Sequence, residues 1–128
     1  MKARLICAAT LLALCGLPAC AQPRSADFDY WLLSLSWSPQ YCANRADDPQ
    51  CLNRNYGFVV HGLWPQNRRG YPERCDEGGA VSHQMSDRML PLMPSPSLIR
   101  HEWRPHGTCS GIDMETYFLT IEQVRRDR

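Results

Sequence analysis

Beyond Lys2 the 128-residue sequence contains no lysine, so nearly all of its fixed positive charge is arginine. It also lacks an excess of either sign: residues 22–128 carry 12 Arg against 13 Asp and Glu, a net of −1. A domain that gripped nucleic acid through a broad cationic face would be strongly basic, so any nucleic acid handled here is handled at a local site. No apolar run approaches the roughly 20 residues a membrane-spanning helix requires. There are no internal repeats, no low-complexity tract and no linker, which argues against a solenoid or a two-domain chain. With 44% hydrophobic and 21% charged residues, the composition is that of one ordinary globular domain.

The start of the chain reads differently from the rest. Met1-Lys2-Ala3-Arg4 is basic, residues 5–17 are apolar, and Ala19-Cys20-Ala21 fits a small-residue cleavage site. Residues 1–21 are therefore expected to be a secretory signal peptide, with the globular domain over residues 22–128. Leu17-Pro18-Ala19-Cys20 offers a competing lipoprotein reading with Cys20 as the lipidated residue, but Pro18 fits it poorly. Soluble export, secreted or periplasmic, is preferred, with no membrane attachment once the leader is gone. Removing the leader also removes Cys7, Cys15 and Cys20, leaving Cys42, Cys51, Cys75 and Cys109. An even number of cysteines in an exported chain suits a disulfide framework. Of the three possible pairings we select Cys42 with Cys51, which clips a turn-rich loop, and Cys75 with Cys109, which closes a long one. No two of the four have the close spacing of a zinc-binding pair.

Residues 28–37 set Trp31, Leu33, Leu35 and Trp37 on one side and turn polar at Ser34 and Ser36 on the other, the pattern of a strand with one fully buried face. Ser38-Pro39 ends it, and residues 43–55 are loop-like. Residues 56–60 read as a second, short strand with His61-Gly62 at its end, followed by a long Gly- and Pro-containing loop over residues 65–80. Three helices follow. Ser82 can cap the first, carrying Met85, Met89 and Leu92 to a break at Pro91 or Pro94. Ser95-Pro96 starts the second, with Ile99, Trp103 and His106 recurring on one face until Gly107. Asp113 caps the third, with Phe118, Ile121 and Val124 as its stripe. Strands followed by helices imply an α+β fold, an antiparallel sheet core with flanking helices. Two strands are too few to cover their own apolar face, so further strands are expected beyond residue 128.

The chemistry concentrates in His101-Glu102-Trp103-Arg104-Pro105-His106-Gly107-Thr108-Cys109, which holds two of the four histidines, and in His61-Gly62-Leu63-Trp64-Pro65, which holds a third. Histidine is the side chain whose ordinary pKa lies near neutrality. Two of them from different elements can act as a general base and a general acid. Glu102 and Arg104 beside them can orient an imidazole or stabilise developing negative charge. Such a set suits in-line phosphoryl transfer with an internal hydroxyl, and RNA supplies one at its 2′ position. Trp64 and Tyr71 offer faces on which a base can stack; core packing is an equal reading for Trp64, and the expected one for Trp31, Trp37 and Trp103. His83 is read as an ordinary structural or surface histidine. Zinc hydrolases of the HExxH type need two His at i and i+4. His101 and His106 stand at i and i+5, about 140° apart on a helix, so no metal site is expected. A Cys109 nucleophile with His106 as its base is set aside in favour of the disulfide.

From about Phe28 to the C-terminus the chain resembles the T2 family of secreted ribonucleases. The resemblance is carried by Phe58-Val59-Val60-His61-Gly62-Leu63-Trp64-Pro65 and by the segment from His101 to Cys109, in that order, with Leu35-Ser36-Trp37-Ser38-Pro39 similar to the family's first strand. It implies cofactor- and metal-independent cleavage of single-stranded RNA through a 2′,3′-cyclic phosphate, with little base specificity, an acidic optimum and a monomeric enzyme. Carried over, it makes His61 and His106 the acid and base, with His106 as base toward the 2′-OH. Glu102 becomes the support of the charged intermediate, His101 a phosphate-binding residue and Trp64 a base-site aromatic. Cys75 and Cys109 match the family's bridge between the two active-site segments. The chain departs from the pattern at Pro105, where family members commonly have Lys. By analogy with an oxyanion donor, loss of that cation costs roughly 3 kcal/mol. Arg104 is the neighbouring cation, its direction left open by Pro105. The alternative function is an RNA-binding or protein-interaction module of the same fold, disabled in catalysis; retention of both His and Glu102 favours the enzyme.

Overall fold

The computed structural model describes residues 27–52 and 55–127. The signal-peptide and Cys20 readings lie outside the described residues. Two strands, β1 (Tyr30–Trp37) and β2 (Phe58–Gln66), pair antiparallel, and four helices follow the chain order α1 (Ser38–Cys42), α2 (His83–Met89), α3 (Pro96–Trp103) and α4 (Met114–Arg126). A single 3₁₀ turn, Gly107–Cys109, lies between α3 and α4. The architecture is α+β, as the pattern implies.

The second strand is longer than its sequence suggests. Residues 56–60 read as strand and residues 65–80 as loop, yet β2 continues through Gly62, Trp64 and Pro65 to Gln66, which pairs with Tyr30. Proline is tolerated there because each strand of a two-stranded ladder has one unpaired side, so its missing N–H removes no essential bond. Burial of Val60 and Leu63, which are 0% and 1% exposed, anchors both halves of the strand. Between them the register slips: Ser34 faces Gly62, whereas Leu35 faces Val60. His61 is thus the extra residue of a β-bulge, a device that bends the strand and re-aims a side chain.

The helix starts follow the expected caps. Ser82 accepts from the N–H of Met85 at 3.1 Å, Ser95 from Leu98 at 3.3 Å and Asp113 from Thr116 at 2.9 Å. Each such cap stabilises its helix by about 1 kcal/mol. One core joins the pieces: Val60 and Leu63 from β2, Met89, Met93, Ile99 and Trp103, and Tyr117, Phe118 and Ile121 from α4. Tyr117, which the expected stripe omitted, is fully buried and donates its hydroxyl to the carbonyl of Leu63 at 2.9 Å, tying α4 to the strand that carries His61. Val124, expected in the stripe, is half-buried.

The apolar face of β1 is not the fully buried face its alternation predicts. Leu33 packs against the core, and Trp31 lies 6.3 Å from the Tyr117 ring, but Trp31, Leu35 and Trp37 are 36%, 42% and 48% exposed. Thr120 and Val124 of α4 approach this face across an open groove of about 530 Å3, which leaves the far half of the strand uncovered. Trp31 and Trp37 are therefore not core residues, whereas Trp103, 6% exposed, is. Both expected disulfides are present, Cys42–Cys51 and Cys75–Cys109.

Candidate active site

The bulge at His61 turns its imidazole between two partners. Nδ1 lies 3.0 Å from the Ser36 hydroxyl on the neighbouring strand, and Nε2 lies 3.5 Å from Oε1 of Glu102. Glu102 comes from the inward side of α3 and is 1% exposed. Its second oxygen, Oε2, accepts a 2.6 Å hydrogen bond from the indole Nε1 of Trp64. Gly62 makes this approach feasible, because a Cβ there would overlap both the Glu102 carboxylate and the Trp64 nitrogen. The strand and α3 are in effect joined through one buried carboxylate.

Trp64 packs against both imidazoles, its ring centroid 5.8 Å from that of His61 and 5.0 Å from that of His106. His106 follows α3 rather than belonging to it. The helix ends at Trp103, and Pro105, lacking an N–H, leads into the 3₁₀ turn. That turn is fixed from three sides. Pro105 accepts from the N–H of Arg74 at 2.9 Å, His106 accepts from Cys109 at 3.0 Å, and Cys109 is bridged to Cys75. Gly107 lies against the face of Trp103, where a Cβ would collide with the ring. Nδ1 of His106 is buried without a hydrogen-bond partner among the described residues, which leaves Nε2 as the nitrogen available to a substrate. Tyr71, 56% exposed, lies at the margin with its ring 6.3 Å from His106.

Burial sets the protonation of this cluster. It lowers the His61 pKa below the ordinary imidazole range, and the positive charge of His101 lowers it further. Burial likewise lowers that of His106; Glu73 opposes the shift, while His101, His61 and Arg74 reinforce it. Glu102 is pushed the other way, up to about 7 by burial, although the Trp64 hydrogen bond holds it down in part. At neutral pH the site thus contains two largely neutral imidazoles beside a carboxyl group near its midpoint. Clustered titratable groups with displaced pKa values mark functional sites more often than structural ones.

The structure brings together His61, Trp64, Glu102 and His106, with Tyr71 at the edge and His101 within electrostatic reach of both imidazoles. It does not bring Arg104 to them. Arg104 keeps helical backbone angles despite preceding Pro105, and its guanidinium is 3.7 Å from Glu77 on the exposed side of α3. His83 opens α2 and is exposed. Two further residues contact the site without a motif of their own: Ser36, whose sequence signal is its place on the polar side of β1, and Arg74, whose proximity to Pro105 depends on the loop's path. Among the described residues, no three His, Cys, Asp or Glu side chains are grouped as a metal site would need.

Residues 28–127 match the family model described as the Ribonuclease T2 family. Among characterised proteins, a ribonuclease of Aeromonas hydrophila is 43% identical over 108 residues, covering 84% of this chain and 50% of that protein. A probable ribonuclease of Haemophilus influenzae is 33% identical, over 80% of this chain and 44% of its own length. Among solved structures, RNase NT in complex with 5′-AMP superposes with a TM-score of 0.67 at 28% identity, covering 79% of this chain and 57% of that one. The chain thus spans about half the length of the curated relatives it matches.

Proposed function

The chain belongs to the ribonuclease T2 family, and from that premise we propose that it is an exported endoribonuclease cleaving single-stranded RNA by transesterification. His106 takes the proton of the 2′-OH as that oxygen attacks the adjacent phosphorus. His61 gives a proton to the departing 5′-oxygen, so that the P–O5′ bond breaks and a 2′,3′-cyclic phosphate remains. On hydrolysis the roles exchange, with His61 activating water and His106 protonating the 2′-oxygen.

The observation that carries this reading is the pair of imidazoles packed against one indole, each with a different environment. His61 has an oxygen beside each nitrogen, Ser36 Oγ at 3.0 Å and Glu102 Oε1 at 3.5 Å, which can orient the protonated ring an acid requires even though burial lowers its pKa. His106 has a buried, unpartnered Nδ1, which disfavours its doubly protonated form and suits a base. Burial first, and then repulsion from His101, lowers both imidazole pKa values, with His61 adding to the repulsion at His106. A bound phosphate offsets that repulsion, with His101 as its anion partner. Since His61 must start protonated from a lowered pKa, activity is expected to favour mildly acidic pH.

Trp64 and Tyr71 provide aromatic surface for the flanking bases. No metal or cofactor takes part in the scheme, and a monomer suffices for it. Two disulfides support an oxidising compartment, secreted or periplasmic, reached with residues 1–21 as a cleaved signal peptide. The deciding experiment is cleavage of a single-stranded RNA by the oxidised chain in EDTA, with His106→Ala as control. A cyclic phosphate end that disappears in the variant is the expected result. A folded chain that binds RNA without cutting it would overturn the enzyme in favour of a binding module.

A further inference from the structure

Helix α3 divides its side chains by chemistry. Ile99, Glu102 and Trp103 face inward, while Ser97, Arg100, His101 and Arg104 line the outer wall of a groove of about 520 Å3. Ser97, Arg100 and Arg104 recur at i, i+3 and i+7, so they form one continuous stripe. Across the groove runs the loop carrying Arg74 and Glu77. Three guanidinium groups and an imidazole thus line the groove with one carboxylate, Glu77, and a second, Glu73, beside Arg74, in a chain whose formal net charge is only +1.

The guanidinium groups are held in different ways. Arg74 has φ of 54°, the left-handed region, and is the one non-glycine residue with positive φ among those described. Such a backbone costs roughly 1 kcal/mol or more. Its hydrogen bond to Pro105 and the adjacent Cys75–Cys109 bridge oppose relaxation. Among the described residues Arg104 and Arg74 make only long, exposed ion pairs, at 3.7 Å to Glu77 and 3.8 Å to Glu73, of a kind that contributes little to stability. Arg100 is exposed and has no ion pair among the described residues. The groove shares His101 and Pro105 with the segment that presents His106.

We propose that this groove is a second phosphate subsite, in which Arg74, Arg100 and Arg104 hold a backbone phosphate of the RNA strand next to the one being cleaved. The inference rests on the ribonuclease reading for its ligand, and it explains how a nearly neutral protein recruits a polyanion: the strand is held at two adjacent phosphates rather than over a broad basic face. His101 lines the groove and is within electrostatic reach of both imidazoles. Arginine suits the task because its planar fork can hold two phosphate oxygens at once.

The test measures binding of non-cleavable oligodeoxynucleotides, so it does not depend on turnover. d(T)2 has one internucleotide phosphate and d(T)4 has three. The chain is expected to bind d(T)4 at least about tenfold more tightly than d(T)2 at low salt. Arg100→Ala should reduce that ratio to about threefold or less, leave d(T)2 affinity unchanged, and reduce the salt slope for d(T)4 by about 0.7, as for one lost single-strand phosphate contact. Arg88→Ala, on α2, removes the same charge elsewhere and should preserve the ratio.

An unchanged ratio in Arg100→Ala, or an equal loss in Arg88→Ala, would overturn the subsite. So would inorganic pyrophosphate displacing d(T)4 at concentrations below those of d(T)2, which would assign the groove to a free phosphate compound. RNA cleavage with an unchanged ratio keeps the ribonuclease and removes the groove. The expected binding pattern without cleavage does the reverse.

Discussion

Ser36 Oγ and His61 Nδ1, on adjacent antiparallel strands, lie 3.0 Å apart. The contact exists because the bulge at His61 turns an imidazole toward the polar side of β1. With His61 as the acid, the hydroxyl accepts from the protonated ring and fixes its orientation. One hydrogen bond of this kind is worth about 1 kcal/mol, or roughly fivefold in rate. Ser36→Ala is expected to lower kcat by about that factor while KM changes less than twofold. Loss of an acceptor also destabilises the charged ring, so the pH limb belonging to the acid should move to lower pH. Ser36→Thr should restore both. A variant with reduced kcat but an unmoved pH profile would show that Ser36 does not act through the imidazole.

Trp64 serves Glu102 as well as facing both imidazoles. Trp64→Phe keeps an aromatic face and removes the 2.6 Å hydrogen bond to Oε2. The carboxylate would then be buried with one oxygen unpartnered, at a cost of about 2 kcal/mol in unfolding free energy. Since that hydrogen bond holds the Glu102 pKa down, its loss should raise the pKa above the present value of about 7. Urea unfolding and a carboxyl titration by NMR read the two effects separately. A stable variant with Glu102 titrating as before would mean that the indole N–H is dispensable.

Much of this arrangement is legible in the sequence, and what is not depends on contacts between distant segments. Caps and spacing located α2, α3 and α4 because Ser82, Ser95 and Asp113 act locally on the next three residues. By composition Gly62 marks a strand end and Pro65 opens a loop over residues 65–80, although the strand continues to Gln66. Gly62 is needed there for the approach of Glu102, and Pro65 is tolerated on an unpaired strand side. The apolar alternation of β1 located the strand but overstated its burial, since alternation reports which side is apolar and not what covers it. His61, Trp64, Glu102 and His106 carried their chemistry in the sequence. Ser36 and Arg74 acquire theirs only from a bulge and a loop path that no local pattern encodes.

The buried carboxyl gives the protein a distinctive pH dependence of stability. The folded-state pKa of Glu102, about 7, lies above its ordinary value of 4.5, so between these values the folded chain binds more protons than the unfolded chain. Its contribution is complete below the lower value and is lost as pH rises through the upper one, amounting to about 3 kcal/mol in all. The two imidazoles act oppositely. Their lowered pKa values contribute stability present above about pH 6.5 and lost as pH falls through the folded values. Glu102→Gln keeps an acceptor for Trp64 and removes only the titration. Denaturant unfolding from pH 5 to 7.5 should therefore show the variant gaining stability relative to the parent as pH rises. Parallel curves would place the carboxyl pKa near its ordinary value.

The two disulfides should differ in what they protect. Cys75–Cys109 spans 34 residues and Cys42–Cys51 spans 9. On the chain-entropy model the longer bridge stabilises by roughly 4 kcal/mol and the shorter by roughly 2.5 kcal/mol. The larger difference lies in position. Cys109 closes the turn that presents His106, and Cys75 follows Arg74, whose N–H donates to Pro105. Cutting this bridge frees both sides of the His106 segment, whereas Cys42–Cys51 clips the polar loop that follows α1. The paired variant Cys75→Ser with Cys109→Ser is therefore expected to lose both stability and RNA cleavage at temperatures where it remains folded. Cys42→Ser with Cys51→Ser should lose stability alone. Equal loss of kcat in the two folded variants would show that the longer bridge sets overall stability and not the position of the imidazole.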